Sequence, residues 1–304
     1  MARRFVQCLS EAIPPENMFP DCDMRSYTSF KAGGKAALLI VPNGVEELRR
    51  SLAALAQSGA EYMAIGNGTN VLVCDGGYPG VIVKLGEAFS QIKVSGRTIN
   101  AGAGATATAV ARTAMEAGLS GLEFAAGIPG SMGGAVFMNA GAYGSEMKDI
   151  VNWVDVVSAD GCTENRYLAC DMGFSYRQSV IQGTGDIVVG VNLMLEYGKI
   201  SDIKEKMAEF GRSRSEKQPI SMPSAGSFFK RPKGHFAGKL IEDCGLKGLS
   251  FGGATVSPLH AGFIVNNGNA TAADIVGLMR LVQYTVYDKF KVKLEPEVRI
   301  IGKP

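Results

Sequence analysis

The chain has 304 residues, 46% of them apolar and 20% charged, which is enough to bury more than one core and predicts about two domains. Its 39 glycines and 12 prolines fall short of the ~25–30% that marks low complexity, and 31 Lys and Arg against 29 Asp and Glu leave a formal charge of +2. A disordered chain, a basic nucleic-acid binder and a protein held on anionic membrane are therefore not expected.

No apolar run nears the ~18 residues of a membrane span, and no hydrophobic stretch follows Arg3 and Arg4. The expectation is a protein of the cytoplasm without nucleic-acid or membrane partners, a monomer or weak homo-oligomer. Cys8, Cys22, Cys74, Cys162, Cys170 and Cys244 form no CxxC pair and no dense framework, so reduced, buried thiols are expected. With His235 and His260 the only histidines, no metal site is expected and little is available for a Ser-His-Asp triad.

In chain order, Ala36–Val41 reads as a buried strand. Asn43 and Glu46 stand at capping-box spacing before a helix whose Leu48, Leu52 and Leu55 share a face and which Gly59 ends. Tyr62–Ile65 completes a βαβ unit, then come Gly66-Asn67-Gly68-Thr69-Asn70 and the strand-like runs Val71–Val73 and Gly80–Leu85. Ser95-Gly96 marks a hairpin, and residues 107–115 a helix stopped by Gly118. After two glycine-dense stretches, 127–134 and 139–144, Asp160-Gly161 separates two strands and Ile187–Glu196 alternates like a third. Residues 201–216 read as a charged helix and interdomain connection. The remainder predicts a short helix near Leu240–Cys244, strands near 254–256 and 262–265, and a long helix that Thr271 and Asp274 begin. Ile275, Leu278, Met279, Val282, Val286 and Phe290 form its buried side.

Gly66–Asn70 is half of a dinucleotide fingerprint, but a strand follows it rather than a helix, so a standard nicotinamide fold is excluded. A glycine loop between strands still lets backbone N–H groups approach a diphosphate, although a tight turn explains it equally well. Pro129-Gly130-Ser131-Met132-Gly133-Gly134 adds a second side-chain-poor surface, near Asn139 and Tyr143. Together the loops resemble the α+β FAD-binding fold of the p-cresol methylhydroxylase and vanillyl-alcohol oxidase group, in which two subdomains hold the flavin. That resemblance implies cofactor contacts at Gly66, Asn67, Gly68, Thr69, Asn70, Pro129, Gly130, Ser131, Gly133, Gly134, Asn139, Ala140, Gly141 and Tyr143.

Further motifs extend the match. Tyr27-Thr28-Ser29-Phe30-Lys31-Ala32-Gly33-Gly34, Phe174-Ser175-Tyr176-Arg177, Ser224-Ala225-Gly226-Ser227-Phe228-Phe229-Lys230-Arg231-Pro232, His260–Asn266 and Leu294-Glu295-Pro296-Glu297-Val298 occur in the order that resembles the UDP-N-acetylenolpyruvoylglucosamine reductase family. The shorter, second type fits, since no insertion interrupts residues 197–227; Lys35 departs from a common proline. The resemblance implies FAD on modules 1–85 and 86–200, and a C-terminal α+β module, 201–304, for the UDP sugar. Strand 294–304 is expected to return to the first module.

The family reaction uses NADPH to reduce FAD, and reduced flavin then delivers hydride to an enolpyruvyl ether on a UDP sugar, in peptidoglycan synthesis. Negative charge builds beside the substrate carboxylate, so a cation and an acid are needed. By resemblance, Arg177 and Glu297 stabilise the enolate and Ser227 donates the proton. Tyr176, Lys230, Arg231 and Asn266 contact substrate. Each residue also has a plain alternative: a surface arginine, a strand glutamate, a turn-capping serine, a solvated basic pair, or a packed asparagine or tyrosine. Met132, Met138 and Phe228–Phe229 read as packing. A related FAD oxidase, or a non-catalytic flavin- or nucleotide-binding module, remains open from sequence.

Overall fold

Residues 2–304 are described by a computed structural model. Its first part is α1 (Ala2–Leu9), β1 (Met18–Asp23), β2 (Lys35–Ile40), α2 (Val45–Ser58), β3 (Tyr62–Ile65), β4 (Val71–Val73), β5 (Tyr78–Lys84), β6 (Ile92–Ser95), β7 (Thr98–Gly102), α3 (Ala107–Glu116) and α4 (Met132–Phe137). The chain forms two compact units, one built from residues up to Pro20, 38–67 and 80–213, the other from 21–37, 68–79 and 214–304.

The first unit carries a sheet in the order β1-β2-β5-β3. The βαβ reading of 36–65 needs one amendment: β5 lies between β2 and β3, and β3 and β5 pair in parallel, with Ile65 opposite Lys84. Leu48, Ser51, Leu52 and Leu55 form the buried face of α2, the i, i+3, i+4, i+7 stripe of an amphipathic helix. Its start differs from expectation. Gly44 occupies the N-cap without a side-chain bond, and Glu47 rather than Glu46 reaches back, accepting from the Asn43 backbone at 2.8 Å. Gly59 ends the helix in the left-handed conformation, φ +62°.

The same unit holds an antiparallel sheet of Glu164–Leu168, Val151–Val157, Ile187–Met194, β7 and β6 in that order, with α4 packed on Ile187–Met194 and β7. Gly96, at φ +56°, makes the expected β6–β7 hairpin.

In the second unit, the core comprises Phe30, Leu72, Phe228, Ile241, Val256, Ile275, Leu278, Val282 and Val286 among others. The long helix Ala272–Phe290 opens with the expected Thr271–Asp274 capping box. Asp75 adds to it, accepting from the Ala272 and Ala273 amides at 2.9 and 2.8 Å, so three of the orphan donors of the first turn are satisfied. The strand Arg299–Ile301 lies parallel to β4. All six thiols are free, but none is buried: Cys162 and Cys170 are exposed and the other four half-buried. Cys244 packs against the rim of the second unit's core, while Cys162 lies in a turn.

Candidate functional site

In the first unit the two glycine loops meet. Gly66 lies against Ser131 so closely that a Cβ on it would overlap the Ser131 Oγ, and a Cβ on Gly133 would press on Ala103. Ser131 is buried and caps α4, its Oγ accepting from the Gly134 N–H at 3.4 Å. The Ala107 N–H donates to the Gly130 carbonyl (3.0 Å) and the Met132 and Gly133 N–H groups to Ala105 and Ala103 (2.8 Å each). Loop 129–134 is therefore fixed at three points.

Arg177 stands on a two-residue turn closed by paired backbone bonds between Ser175 and Gln178 (3.1 and 3.2 Å). Its φ is +58°, the left-handed region that L side chains avoid. Its guanidinium carbon is 5.0 Å from the centre of the Tyr176 ring. Asn139 supports this turn, donating to the Ser175 carbonyl (3.0 Å) and to Glu146 (2.5 Å) while accepting from the Lys148 N–H (2.9 Å). Its side chain is buried and fully engaged, so it organises the loop where sequence suggested a direct cofactor contact. Ala140 is tied through its N–H to Ala135, and Gly141 lies too near Ser145 for a Cβ. The Tyr143 ring stacks on Phe210 at 4.1 Å, and its hydroxyl donates to the Phe210 carbonyl at 2.9 Å.

In the second unit, residues 227–230 run between two other segments. Ser227 bridges Phe263, Phe228 N–H donates to Gly262, Glu297 N–H donates to the Phe228 carbonyl, and Lys230 N–H donates to Glu295, the three bonds each 2.8 Å. Backbone pairing alone thus brings the exposed Ser227 and Glu297 onto adjacent extended segments although 70 positions separate them in sequence. Asn70 fastens this edge: its Nδ2 donates to the Glu297 carbonyl (3.2 Å) and its own carbonyl accepts from the Arg299 N–H (3.0 Å). Lys230 pairs with Glu295 at 3.7 Å, and the Arg231 guanidinium lies 3.9 Å over the exposed Phe236 ring.

Asn266 has a different employment from the expected substrate contact. It is buried, donates to the Phe30 carbonyl (2.9 Å) and accepts from the Gly268 and Ala270 N–H groups (2.7 and 2.9 Å). Its polar atoms are spent on the backbone, as buried polar groups generally are.

Thr28 is one of three exceptions among the described residues, with Ser51 and Gln218. Gly68, at φ +61°, approaches Tyr27 and Thr28 more closely than any side chain allows, and beside this contact the Thr28 hydroxyl is buried with no hydrogen-bond partner. Sequence reasoning quoted Thr28 within a motif without giving it a role. Near the same core, burial pushes the His260 pKa below its ordinary value; its Nδ1 accepts from the Gly262 N–H at 3.0 Å.

Comparison with known proteins bears on what these loops hold. The FAD binding domain model matches residues 36–165, and the model of the UDP-N-acetylenolpyruvoylglucosamine reductase C-terminal domain matches 218–301. UDP-N-acetylenolpyruvoylglucosamine reductases of Alkaliphilus oremlandii and Caldanaerobacter subterraneus are 44% and 46% identical, over 98% and 100% of this chain and 97% and 100% of their own. This chain belongs to the UDP-N-acetylenolpyruvoylglucosamine reductase family. The crystal structure of the Thermus caldophilus UDP-N-acetylenolpyruvylglucosamine reductase superposes with a TM-score of 0.81 at 37% identity, covering 94% of this chain and 98% of that one. The glucose dehydrogenase Phl p 4.0202 shares the fold alone, with a TM-score of 0.50 at 20% identity over 64% of this chain.

The expected α+β architecture, a flavin-binding fold joined to the family's C-terminal domain, is what this chain has. Its residues fit FAD in their chemistry: Gly66 and Gly133 pack too closely on Ser131 and Ala103 to carry a side chain, so the loops of the first unit present bare backbone. Bare backbone of this kind admits a diphosphate at close range.

Proposed function

We propose that the chain reduces the enolpyruvyl ether of UDP-N-acetylglucosamine enolpyruvate to the lactyl ether of UDP-N-acetylmuramate, in peptidoglycan precursor synthesis. It is an FAD-containing, NADPH-dependent oxidoreductase. The observation that carries this reading is near-complete, full-length agreement with reductases of that name at 44–46% identity. Bound FAD supplies a two-electron carrier that takes hydride from NADPH and passes it to the substrate. Cofactor contacts are assigned to Gly66–Asn70, Pro129–Ser131, Gly133, Gly134, Ala140, Gly141 and Tyr143, with FAD on modules 1–85 and 86–200 and the UDP sugar on 201–304. The two family models, over 36–165 and 218–301, support that assignment.

Arg177 binds the substrate carboxylate. Its planar fork offers two charge-assisted hydrogen bonds where enolate charge develops, a geometry that lysine lacks. Glu297, as a neutral acid, shares that charge by donating a hydrogen bond from its carboxyl oxygen. Ser227 Oγ gives its proton to the carbon that becomes the lactyl centre. Its exposure lets solvent reprotonate it, and Lys230, three residues further along the segment and paired with Glu295, is assigned to the anionic groups of the substrate. Arg231 and Tyr176 complete the contacts to the anionic, ring-bearing substrate, the first by charge and the second by stacking.

No described helix is long and apolar enough to cross a membrane, and a formal charge of +2 offers no field for nucleic acid. Both fit the cytoplasmic enzyme, acting on a small anionic substrate, that we propose; a monomer or weak homo-oligomer is the assembly assigned to it.

Stopped-flow spectroscopy tests the roles. Ser227→Ala should leave bleaching of the flavin by NADPH within about twofold of wild type and slow reoxidation by substrate by at least ~10²-fold, the scale of general acid catalysis. Equal loss in both phases would remove Ser227 from proton transfer. Peroxide formed in place of reduced substrate would identify an oxidase instead.

A further inference from the structure

Strands β3 and β5 finish side by side, Ile65 opposite Lys84, and the chain leaving Ile65 enters Gly66-Asn67. The carboxyl ends of parallel strands are where open α/β sheets receive ligands. Lys84 stands at this edge, half-buried, with its ammonium donating to the Gly66 carbonyl at 3.3 Å. Burial pushes its pKa down, and no carboxylate offsets that shift. A desolvated cation facing only a neutral acceptor costs folding free energy. The same Gly66 is the residue against which Ser131 of the second loop packs, so the ammonium stands where the two glycine loops meet.

A trans peptide points its C=O and N–H in opposite directions. Lys84 therefore holds the Gly66–Asn67 peptide with its carbonyl toward the ammonium and the Asn67 N–H facing away from it, and the charge polarises that N–H. We propose that Lys84 is a positioning residue for the dinucleotide, aiming and strengthening the Asn67 amide as a donor to the diphosphate and placing uncompensated positive charge behind it. This rests on the reading of Gly66-Asn67 as part of the FAD site.

The argument predicts opposite effects on the empty protein and on flavin binding. Lys84→Met keeps the length and apolar stem of the side chain but removes the charge and the donor. It should raise the thermal midpoint of the flavin-depleted protein, or leave it unchanged, while weakening FAD binding at least tenfold in fluorescence-quenching titrations. It should also flatten the dependence of FAD affinity on salt. Lys84→Arg should bind FAD within about threefold of wild type. A Lys84→Met protein that loses thermal stability when empty would make the lysine a structural tie and overturn the proposal. Unchanged FAD affinity beside a wild type that binds FAD would overturn it alone, whereas a wild type that fails to bind FAD would overturn the reading of the loop with it.

Discussion

A non-glycine residue in the left-handed region costs roughly 1–2 kcal/mol, yet Arg177 is there at φ +58°, on a turn pinned by Asn139 through Ser175 and by Gln182 through the Arg177 carbonyl (3.0 Å). Glycine would relieve the strain, and backbone strain of this kind clusters at functional sites, which supports the role proposed for the guanidinium. Arg177→Lys keeps the backbone cost and the charge and removes only the fork. The expected result is an unchanged thermal midpoint, unchanged flavin reduction by NADPH, and at least ~10-fold slower reoxidation by substrate. Wild-type reoxidation would detach the arginine from the enolate. At this scale the sequence offered the residue type and a motif, while the strain and its support depend on Asn139, 38 positions upstream. Asn139 and Asn266 look like free polar contacts in sequence, and only the fold reveals that the Ser175 carbonyl, the Glu146 carboxylate and the Lys148 N–H engage the first side chain and backbone groups the second.

Glycine carries information between elements that no single loop contains. In Gly66→Ala the new methyl would overlap the Ser131 Oγ and crowd its Cβ, so either the serine leaves its capping rotamer or the two loops move apart. FAD retention after gel filtration should fall at least tenfold with the chain still folded. Adding Ser131→Gly removes the opposing Oγ and Cβ and should recover part of the flavin, since glycine at the cap costs only about a few tenths of a kcal/mol. Recovery absent from a folded double variant would show that this contact does not shape the site. Local signals were legible here: the capping box of Ala272–Phe290, the left-handed stop at Gly59 and the β6–β7 hairpin depend on residues a few positions apart. The start of α2 was misread because Gly44 occupies the cap, leaving Glu47, one position beyond the expected Glu46, to reach the Asn43 backbone.

At the scale of the whole molecule, stability responds to His260. Burial, the dominant effect, holds its pKa below the ordinary value of about 6.5; Lys247 pushes the same way, while a backbone bond and Glu242 oppose. The unfolded chain therefore binds the proton more readily, so this stabilisation is complete above about pH 6.5 and drains away as pH falls from there toward the folded-state pKa. Protonation of Nδ1 would also abolish the acceptor for the Gly262 N–H. The thermal midpoint should decline between pH 7.5 and 5.5, and His260→Asn should decline less steeply; parallel curves for the two proteins would exclude His260 as the source. What the sequence alone determined is the order of elements, the flavin-type loops, the family and the types of residue suited to its chemistry, because each is written in a short window or a motif. Which glycine meets Ser131, which segment pairs Glu297 with residues 227–230, how Asp75 comes to cap a helix 197 positions away and why Lys84 faces Gly66 were decided only by tertiary structure. Those pairings arise from strand register and burial acting across long stretches of chain, and such forces leave no periodic mark on the residues they bring together.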